Sequence, residues 1–264
     1  MELKRKNVIV TGAASGVGKE LTKQLLAKGC KVAGIDISAD NLKKLEEELN
    51  NSNLKTYTLD VSNQDAILAF RDKYHEDYHD VDVIINNAGI IQPFTKVQHL
   101  EDKTIHRVMD VNFFGPLNLI RFFMDDLTKD RKEQYIVNVS SMGGFFPFPG
   151  QTIYGASKAA LKILTEGLYA ELQDTNVRVM IVLPGAMDTN ITENSGVSYG
   201  SSSSKEDSPM KLLSAEDAAA QIIKGMEKNK FKLFVGQDSK FLRFLYKWND
   251  KKAIKFINDK MKNM

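Results

Sequence analysis

The chain has 264 residues, 42% of them hydrophobic, which is enough to bury one large core. Its formal net charge is only +2, so the strongly basic surface of a nucleic-acid-binding protein is excluded and no nucleic-acid partner is expected. No apolar run approaches the ~18 residues of a membrane span, and we therefore expect no stable membrane insertion.

The first elements are a strand, a helix and a second strand joined by a glycine-rich turn. Residues 7–10 form a short β-branched run typical of a central parallel strand, and residues 31–36 form the second strand. Between them lies Thr11-Gly12-Ala13-Ala14-Ser15-Gly16-Val17-Gly18, followed by an amphipathic helix ending near Gly29. Glycines in such a turn let backbone N–H groups approach a pyrophosphate at a helix N-terminus. The unit predicts a dinucleotide site at Gly12, Ser15, Gly16, Val17 and Gly18.

Asp36, at the end of the second strand, bears on which dinucleotide binds. A carboxylate at this point accepts hydrogen bonds from the adenosine ribose hydroxyls and repels a 2′-phosphate. The neighbours that could compensate, Ser15 and Ile37, carry no charge. NAD is therefore favoured as the cofactor, without excluding NADP.

The single cysteine, Cys30, stands between Gly29 and Lys31 at the start of the second strand. One cysteine excludes an internal disulfide and suits a reducing compartment, so a cytoplasmic protein is expected. We interpret Cys30 as a small structural residue.

The middle of the chain continues the alternation of helices and strands. Helices are predicted at 40–50 and 66–78, and strands at 54–59 and 81–85. The first of these strands runs into Asp60-Val61, from which a side chain can reach an adenine. The second runs into Asn86-Asn87-Ala88-Gly89, where amides can bond backbone groups and stiffen the sheet, and where Gly89 lets the backbone lie against a cofactor.

Residues 100–127 predict a long helical region with Gly115-Pro116 inside it, where proline tends to kink a helix. Asn112 lies next to this irregularity. Its side chain either has a structural role or holds a water in a proton path.

The second half of the chain places a serine and a tyrosine–lysine pair after a buried strand. Residues 134–139 form the strand, Ser141 follows it, and Tyr154 and Lys158 lie four apart on the next helix. Residues four apart share a helix face, and a nearby ammonium favours the phenolate. Such a tyrosine can exchange a proton with an alcohol or carbonyl near neutral pH. Together with the nucleotide turn, the set predicts an oxidoreductase.

A further strand at 177–183, ended by Pro184-Gly185, a helix reaching Lys228 and a strand at 232–235 complete the pattern. This regular alternation predicts one α/β domain over residues 1–264, built on a doubly wound parallel sheet of about seven strands, the Rossmann fold. Ligands bind such sheets at the carboxyl ends of the strands. The side chains expected at those ends are Thr11, Asp36, Asn86, Ser141 and Pro184. No metal ligands are expected.

Two late segments depart from this pattern. Residues 188–214 form a long, polar and weakly patterned segment. Such a segment is usually either a lid or disordered, and a flexible substrate lid is favoured. Residues 228–264 hold eleven Lys or Arg against three Asp, and about 238–264 form a basic, aromatic, amphipathic extension. Such a helix can lie on a membrane surface, cover the substrate entrance or pack on a partner subunit. Packing is favoured, because lysine stems on apolar helices are common without lipid.

Phenylalanines concentrate in the loop after Ser141. Phe145, Phe146 and Phe148 are either pocket wall or local core. With Phe94 and Met187 they suggest an apolar or lipid-like alcohol as substrate.

In combination these motifs resemble the short-chain dehydrogenase/reductase family over residues 5–190. They are Thr11-Gly12-x-x-x-Gly16-x-Gly18, Asn86-Asn87-Ala88-Gly89, Asn112, Ser141, Tyr154-x-x-x-Lys158, and Pro184-Gly185 followed by Thr189. The resemblance implies that Tyr154 is the acid/base and that Ser141 bonds the substrate oxygen. It implies that Lys158 binds the nicotinamide ribose and lowers the pKa of Tyr154, and that Asn112 holds a relay water.

The resemblance also implies the remaining cofactor contacts and the assembly. The cofactor would lie against Asp60, Val61, Asn87, Ala88, Gly89, Ile90, Tyr154, Lys158, Pro184, Gly185 and Thr189. A homodimer or homotetramer would form through the long helices at 113–127 and 153–172.

Two other functions stay open at this point. A dinucleotide-sensing regulatory protein would keep the fold without turnover, although a pure binder has no need of the Asn–Ser–Tyr–Lys set. A membrane-surface-associated, lipid-processing reductase would work through the basic tail.

Overall fold

The computed structural model describes residues 2–129, 132–188, 191, 195–197 and 212–262. Its strands are β1 (Asn7–Thr11), β2 (Lys31–Asp36), β3 (Leu54–Thr58), β4 (Val83–Asn86), β5 (Gln134–Val139), β6 (Val177–Pro184), β7 (Met187–Asp188), β8 (Leu213–Ser214) and β9 (Lys232–Val235). Its α-helices are α1 (Gly16–Ala27), α2 (Ala39–Leu49), α3 (Gln64–Tyr78), α4 (Asp102–Met109), α5 (Gly115–Thr128), α6 (Thr152–Glu171), α7 (Ala215–Glu227), α8 (Gln237–Trp248) and α9 (Asp250–Lys262).

Seven strands form one parallel sheet in the order β3-β2-β1-β4-β5-β6-β9. The chain moves outward from β1 to β3, then returns to place β4 on the other side of β1. This reversal between β1 and β4 is the point where open α/β sheets bind ligands. The predicted doubly wound sheet of about seven strands is confirmed. The short strands β7 and β8 pair separately and were not predicted.

Alternation along the strands fills two cores, one on each face of the sheet. Val8 and Val10 of β1 pack with Leu21 of α1 on one face, whereas Ile9 packs with Phe123 of α5 on the other. Successive strand side chains point to opposite faces, so a strand covered on both sides is apolar throughout. This explains why a central strand such as β1 is a continuous run of apolar, β-branched residues.

The long helical region divides into three parts. α4 ends at Met109, a π-helical turn covers Asp110–Phe114, and α5 begins at Gly115 with Pro116 in its first turn. Proline fits a first turn because the N–H it lacks has no partner there. The predicted irregularity is present, but it lies one turn before the proline rather than at it.

The C-terminal extension forms a helical hairpin, α8 and α9, against the loop after β5. Leu242 and Ala253 pack on Phe146, with Phe145 and Phe148 partly buried beside them. The three phenylalanines thus belong to a local core, which resolves the alternative left open by the sequence. Among the residues that the structure describes, no helix is long and apolar enough to cross a membrane.

Cys30 is fully buried, and its thiol donates a hydrogen bond to the carbonyl of Leu3 at 3.1 Å. Burial raises the pKa of this thiol to about 11. The structural role predicted for it is confirmed. The predicted lid falls mainly on residues 189–190, 192–194 and 198–211, which lie outside the described residues.

Candidate active site

The glycine turn joins β1 to the open N-terminus of α1. Gly12 and Gly16 have φ values of +65° and +49°, in the left-handed region that favours glycine. A Cβ at Gly18 would collide with the carbonyl of Gly12 and with the amide of Asn87. The N-cap residue, Ser15, makes no side-chain cap hydrogen bond. The first N–H groups and the positive end of the helix dipole therefore suit an anion such as a pyrophosphate.

Thr11 and Asn87 join the ends of β1 and β4 at the reversal point. The hydroxyl of Thr11 accepts hydrogen bonds from the backbone N–H groups of Asn87 and Ala88, both at 3.0 Å. The side-chain amide of Asn87 donates to the carbonyl of Thr11 at 3.0 Å. The stiffening role predicted for these amides is confirmed for Asn87, which supports the glycine turn from below.

Asn86 also links neighbouring elements of the sheet through its side chain, but it is buried. Its amide donates to Asn138 on β5 at 2.8 Å, and Asn138 donates to Thr165 of α6 at 2.9 Å. This buried chain of amides ties β4 to the helix that carries Tyr154.

Asp36 lies directly beside the glycine turn. One carboxylate oxygen accepts from the N–H of Ala14 at 3.1 Å, and the other accepts from the N–H of Ser38 at 3.1 Å. Each oxygen keeps a further lone pair for a ligand hydroxyl. The carboxylate is thus fixed next to the place where the turn would hold the cofactor's phosphates.

Asp60 is held by two partners, neither of which was predicted from the sequence. Its carboxylate accepts from Ser62 and forms an ion pair with Arg107 at 2.9 Å. Burial alone would raise the pKa of Asp60, but the hydrogen bonds from Ser62 and the guanidinium of Arg107 hold it below its usual value. The neighbouring Val61 packs so closely on α5 that a Cβ at Gly115 would lie 2.8 Å from its carbonyl oxygen.

Asn112, in the π-helical turn, uses its side chain to fix two backbones. Its Oδ1 accepts from the N–H of Ile90 at 2.9 Å, and its Nδ2 donates to the carbonyl of Ile90 at 2.9 Å and to the hydroxyl of Ser157 at 3.0 Å. Ser157 in turn donates to the carbonyl of Tyr154 at 2.7 Å. Both amide hydrogens are thus donated to protein groups rather than left for a water.

Lys158 is buried next to the segment that follows β4. Its ammonium donates to the carbonyl of Val139 at 3.0 Å, and the residue as a whole is only 3% exposed. A Cβ at Gly89 would lie 2.9 Å from this nitrogen and 3.2 Å from Oδ1 of Asn112. Only a glycine lets the backbone after β4 lie so close to Lys158.

Ser141 and Tyr154 meet across Gly143. Ser141 is the N-cap residue of a short 3₁₀ helix, Met142–Gly144, that follows β5. Its hydroxyl accepts a hydrogen bond from the N–H of Gly143 at 3.0 Å. A Cβ at Gly143 would lie 3.4 Å from the Ser141 hydroxyl and 3.3 Å from the ring of Tyr154. Both side chains thus lie against the same glycine. The pair predicted from two separate stretches of sequence therefore faces one point.

The titration behaviour of the pair differs from the expectation. Burial raises the pKa of Tyr154, and the hydrogen bond with Ser141 opposes that shift in part. Lys158 does not lower it, and burial lowers the pKa of Lys158 itself to about 8. The expected depression of the Tyr154 pKa by Lys158 is therefore wrong for the chain alone. The reason is desolvation, which acts on both groups in the buried site.

Gln92 caps the helix of Tyr154 from another part of the chain. Its Oε1 accepts from the N–H groups of Ile153 and Tyr154 at 2.8 and 3.1 Å, and its Nε2 donates to the carbonyl of Gly150 at 2.8 Å. The side chain is fully buried. Sequence reasoning missed Gln92, because a cap supplied across 61 residues has no local pattern.

Asp238 fixes the segment after β6. Its carboxylate accepts from the N–H of Ala186 at 2.6 Å and lies against Gly185, where any Cβ would collide with it. Pro184 ends β6 beside them, and Thr189 lies outside the described residues. Ser195, in the predicted lid, accepts from the N–H of Ile91 at 3.0 Å, next to Ile90.

These residues fit a nicotinamide dinucleotide along the carboxyl edge of the sheet. The N-terminus of α1 suits the phosphates, and Asp36 suits the ribose of the adenosine. Gly89 and Lys158 would flank the nicotinamide half of the dinucleotide. The serine–tyrosine pair lies beyond them, where a reacting oxygen would find two fixed donors. The arrangement can bind a dinucleotide and move a proton at its far end.

Comparison with known proteins agrees with this geometry. The chain matches the family model for short chain dehydrogenase over residues 6–199. It is 36% identical over 195 residues to the 3-oxoacyl-acyl-carrier-protein reductase FabG of Thermotoga maritima, a match covering 73% of this chain and 78% of that protein.

Two solved structures share the fold at 24% identity. One is a short chain dehydrogenase/reductase from Burkholderia phymatum in complex with NAD, with a TM-score of 0.80 and coverage of 89% of this chain and 90% of that one. The other is a short chain dehydrogenase from Burkholderia cenocepacia in complex with NADP, with a TM-score of 0.81 and coverage of 97% and 99%. Both dinucleotides are thus found in proteins of this fold.

Proposed function

The chain belongs to the short-chain dehydrogenase/reductase family, an oxidoreductase family, and on this premise we propose that it interconverts a secondary alcohol and a ketone with Tyr154 as the acid/base. The observation that carries the assignment is the meeting of Ser141 and Tyr154 at Gly143, with Lys158 and Gly89 beside them. When bound, the nicotinamide supplies or accepts the hydride.

The chain's own residues handle the substrate oxygen. In reduction the hydroxyl of Tyr154 gives its proton to that oxygen, and in oxidation it takes the proton back. The hydroxyl of Ser141 donates a hydrogen bond to the same oxygen, where a fixed donor stabilises developing negative charge. The raised pKa of Tyr154 keeps the phenol protonated in the chain alone, and reduction starts from this protonation state.

The remaining members of the set have supporting roles in this proposal. Lys158 binds the nicotinamide ribose, since its ammonium lies beside the backbone of Gly89. Asn112 acts mainly as a positioning residue, since its amide holds Ile90 and, through Ser157, the first turn of α6. The relay water predicted for Asn112 would then have to use the second lone pair of its Oδ1 or a nearby backbone carbonyl.

Replacing Tyr154 tests the proposal directly. We expect Tyr154→Phe to lower turnover of a secondary alcohol or ketone by at least ~10²-fold, the usual scale for a general acid/base. Binding of NADH, followed by thermal shift, should stay unchanged because the ring remains in place. Near-normal turnover in this variant would remove Tyr154 from the mechanism.

We propose NAD as the preferred dinucleotide, on the strength of the Asp36 carboxylate fixed beside the glycine turn. A thermal-shift titration should show tighter binding of NADH than of NADPH. Asp36→Ala should narrow that preference by roughly 10-fold, because it removes both the ribose acceptor and the repulsion of a 2′-phosphate. Tighter binding of NADPH by the wild type would contradict the assignment.

The substrate is proposed to be apolar, because Phe94 is 44% exposed and because the loop after Ser141 carries Phe145 and Phe148, which the local core buries only in part. A panel of secondary alcohols and ketones of increasing chain length tests this through kcat/KM. A preference for short polar substrates would contradict it.

A homodimer or homotetramer is proposed through α5 and α6. Ile163 and Tyr169 of α6 are 62% and 42% exposed, and Phe114, just before α5, is 44% exposed. Light scattering on the purified protein gives the oligomeric state. A monomer at micromolar concentration would contradict the proposal.

A cytoplasmic location is proposed from the single, buried cysteine, and a one-domain organisation with a C-terminal helical extension from the packing of α8 on the main body. A regulatory protein without turnover is not favoured, since the chain is similar to a reductase over most of its length. Absence of turnover across the substrate panel, despite cofactor binding, would favour it.

A further inference from the structure

Within the described part of the chain, one face of helix α8 has no packing partner. Residues of α8 at positions 242, 245 and 246 pack inward on the phenylalanine loop. The aromatic stripe, which we define as Phe241, Phe244 and Trp248, points the other way at a spacing of three and four residues. Phe244 and Trp248 are each 70% exposed, which is unusual for such large apolar side chains.

A pocket lined by cations borders this stripe. It has a volume of about 380 Å³ and lies between α7, β9 and α8. The cationic pocket, as we call it, is lined by Lys224, Lys228, Lys230, Lys232, Lys240 and Arg243. Lys232 forms an ion pair with Glu166 at 2.7 Å, whereas the other five pair with no carboxylate among the residues the structure describes. Six cations with one carboxylate partner among the described residues indicate a place for an external anion.

The two features meet along helix α8, which carries the stripe and two of the pocket's cations. At 100° per residue, Lys240, Arg243 and Lys247 fall on the flank of α8 next to the aromatic stripe. No acidic residue occurs between positions 239 and 249. Lysines that flank exposed aromatic rings are the pattern of helices that rest in the headgroup region of a membrane.

We propose that α8 and the cationic pocket form a docking surface for an anionic lipid bilayer. The stripe enters the interface, and the pocket receives headgroup phosphates. Charge complementarity decides in favour of this occupant. Five cations that have no carboxylate partner among the described residues lie beside three exposed aromatic rings, and together they match an anionic surface with an apolar interior.

Docking would place the active site close to the bilayer. The guanidinium of Arg243 lies 4.2 Å over the ring of Phe234, and that ring contacts Phe145 at 5.7 Å. Phe145 belongs to the loop that follows Ser141. An apolar substrate dissolved in lipid could then reach the site without crossing water. This consequence rests on the proposed function, whereas the docking itself does not.

Co-sedimentation of the full chain with vesicles tests the docking. We expect binding to vesicles containing about 30% phosphatidylserine and little binding to pure phosphatidylcholine, with a steep loss as salt is raised. Trp248 is the only tryptophan, so its emission should shift to the blue when the stripe enters lipid. Equal binding to both vesicle types, or none to either, would overturn the proposal.

Two variants and a matched control locate the surface. Lys240→Glu with Arg243→Glu should weaken vesicle binding by at least ~30-fold, since each cation near an anionic surface contributes appreciably. Phe244→Ser with Trp248→Ser should weaken it by at least ~10-fold. Lys43→Glu with Lys44→Glu, exposed lysines of α2, makes the same charge change and should bind as the wild type does.

The same preparations separate the other occupants. If Phe244→Ser with Trp248→Ser converts an oligomer into a monomer by light scattering and leaves vesicle binding unchanged, the stripe holds a second copy and the proposal falls. Turnover of a water-soluble ketone should be equal in all variants, because none of these residues belongs to the catalytic set. Vesicle binding with no turnover would leave the docking intact and overturn only the proposed function.

Discussion

The two ends of the active site are held in place by opposite means. Around the glycine turn, backbone segments pack directly on each other because the glycines have no side chains: Gly18 packs on the carbonyl of Gly12. Thr11 and Asn87 add hydrogen bonds to neighbouring backbone groups. Around Tyr154, positions are fixed by buried polar side chains, above all Gln92 and Lys158. The cofactor end therefore depends on close packing of backbone atoms. The proton-transfer end depends on hydrogen bonds between groups that are buried away from water.

This difference predicts which substitutions disrupt each end. At the cofactor end an added methyl group is destabilising, because the backbone atoms it meets cannot move aside. At the proton-transfer end the loss of a hydrogen bond is destabilising, because it leaves buried polar groups without partners. Single substitutions with matched controls separate the two cases.

The largest effect is expected from Gly18→Ala. Its Cβ would collide with the carbonyl of Gly12, so we expect a loss of about 3 kcal/mol in the free energy of unfolding and loss of NADH binding. Gly167→Ala on α6 is the control, because nothing lies within 4 Å of its added Cβ and it should stabilise the protein by about 0.5–1 kcal/mol. Urea unfolding and thermal shift measure both, and equal stability of the two variants would refute the close-packing account.

Next in size is the effect of Lys158→Met on the cofactor-free protein. The pKa of Lys158 is about 8 in the folded chain against an ordinary value of 10.5, so below pH 8 the ammonium is charged in both states and its burial costs about 3 kcal/mol. Loss of its bond to the Val139 carbonyl costs about 1 kcal/mol in the variant. We therefore expect Lys158→Met to be more stable at pH 7 by about 2 kcal/mol, while being inactive.

The pH dependence checks the sign of this argument. Between pH 8 and 10 the unfolded wild type binds more protons than the folded one, so its stability rises with pH. The advantage of Lys158→Met should therefore shrink between pH 7 and pH 9.5 in urea unfolding. An advantage that stays constant over this range would mean that Lys158 is not desolvated.

A smaller effect is expected from Gln92→Ala, which removes the cap of α6. The N–H groups of Ile153 and Tyr154 would lose their acceptor, at a cost of about 1–2 kcal/mol in unfolding free energy. Because the first turn of α6 carries Tyr154, kcat should fall by roughly 10-fold with little change in the KM for NADH. Gln98→Ala, an exposed glutamine nearby, is the control. Equal loss of kcat in both variants would remove Gln92 from this role.

The same contrast explains how much of the molecule the sequence predicted. The seven strands of the main sheet, their parallel arrangement and the glycine turn follow from local patterns: apolar β-branched runs, glycines at a turn, an acid at a strand end. The stiffening by Asn87 and the pairing of Ser141 with Tyr154 also follow, since each motif lies at a strand end and those ends meet at one edge. Even the irregular helix before Pro116 was predicted to within one turn.

What the sequence did not predict depends on distant partners or on burial. Gln92, Arg107 and Asp238 act on groups 47 to 62 residues away, and nothing beside them in the chain marks that role. The pKa of Tyr154 was expected to be lowered by Lys158, yet desolvation, which no local pattern reveals, raises it. The loop of phenylalanines stayed undecided for the same reason, because its packing partners belong to the C-terminal hairpin.

The buried thiol of Cys30 is a natural probe of local unfolding. It is the only cysteine, it has no solvent exposure, and its pKa of about 11 keeps it almost wholly protonated at neutral pH. A maleimide reagent can therefore label the chain only when the start of β2 separates from the N-terminal segment. The labelling rate of an unmodified sample would report how often that corner of the sheet opens, with no engineered probe to disturb it.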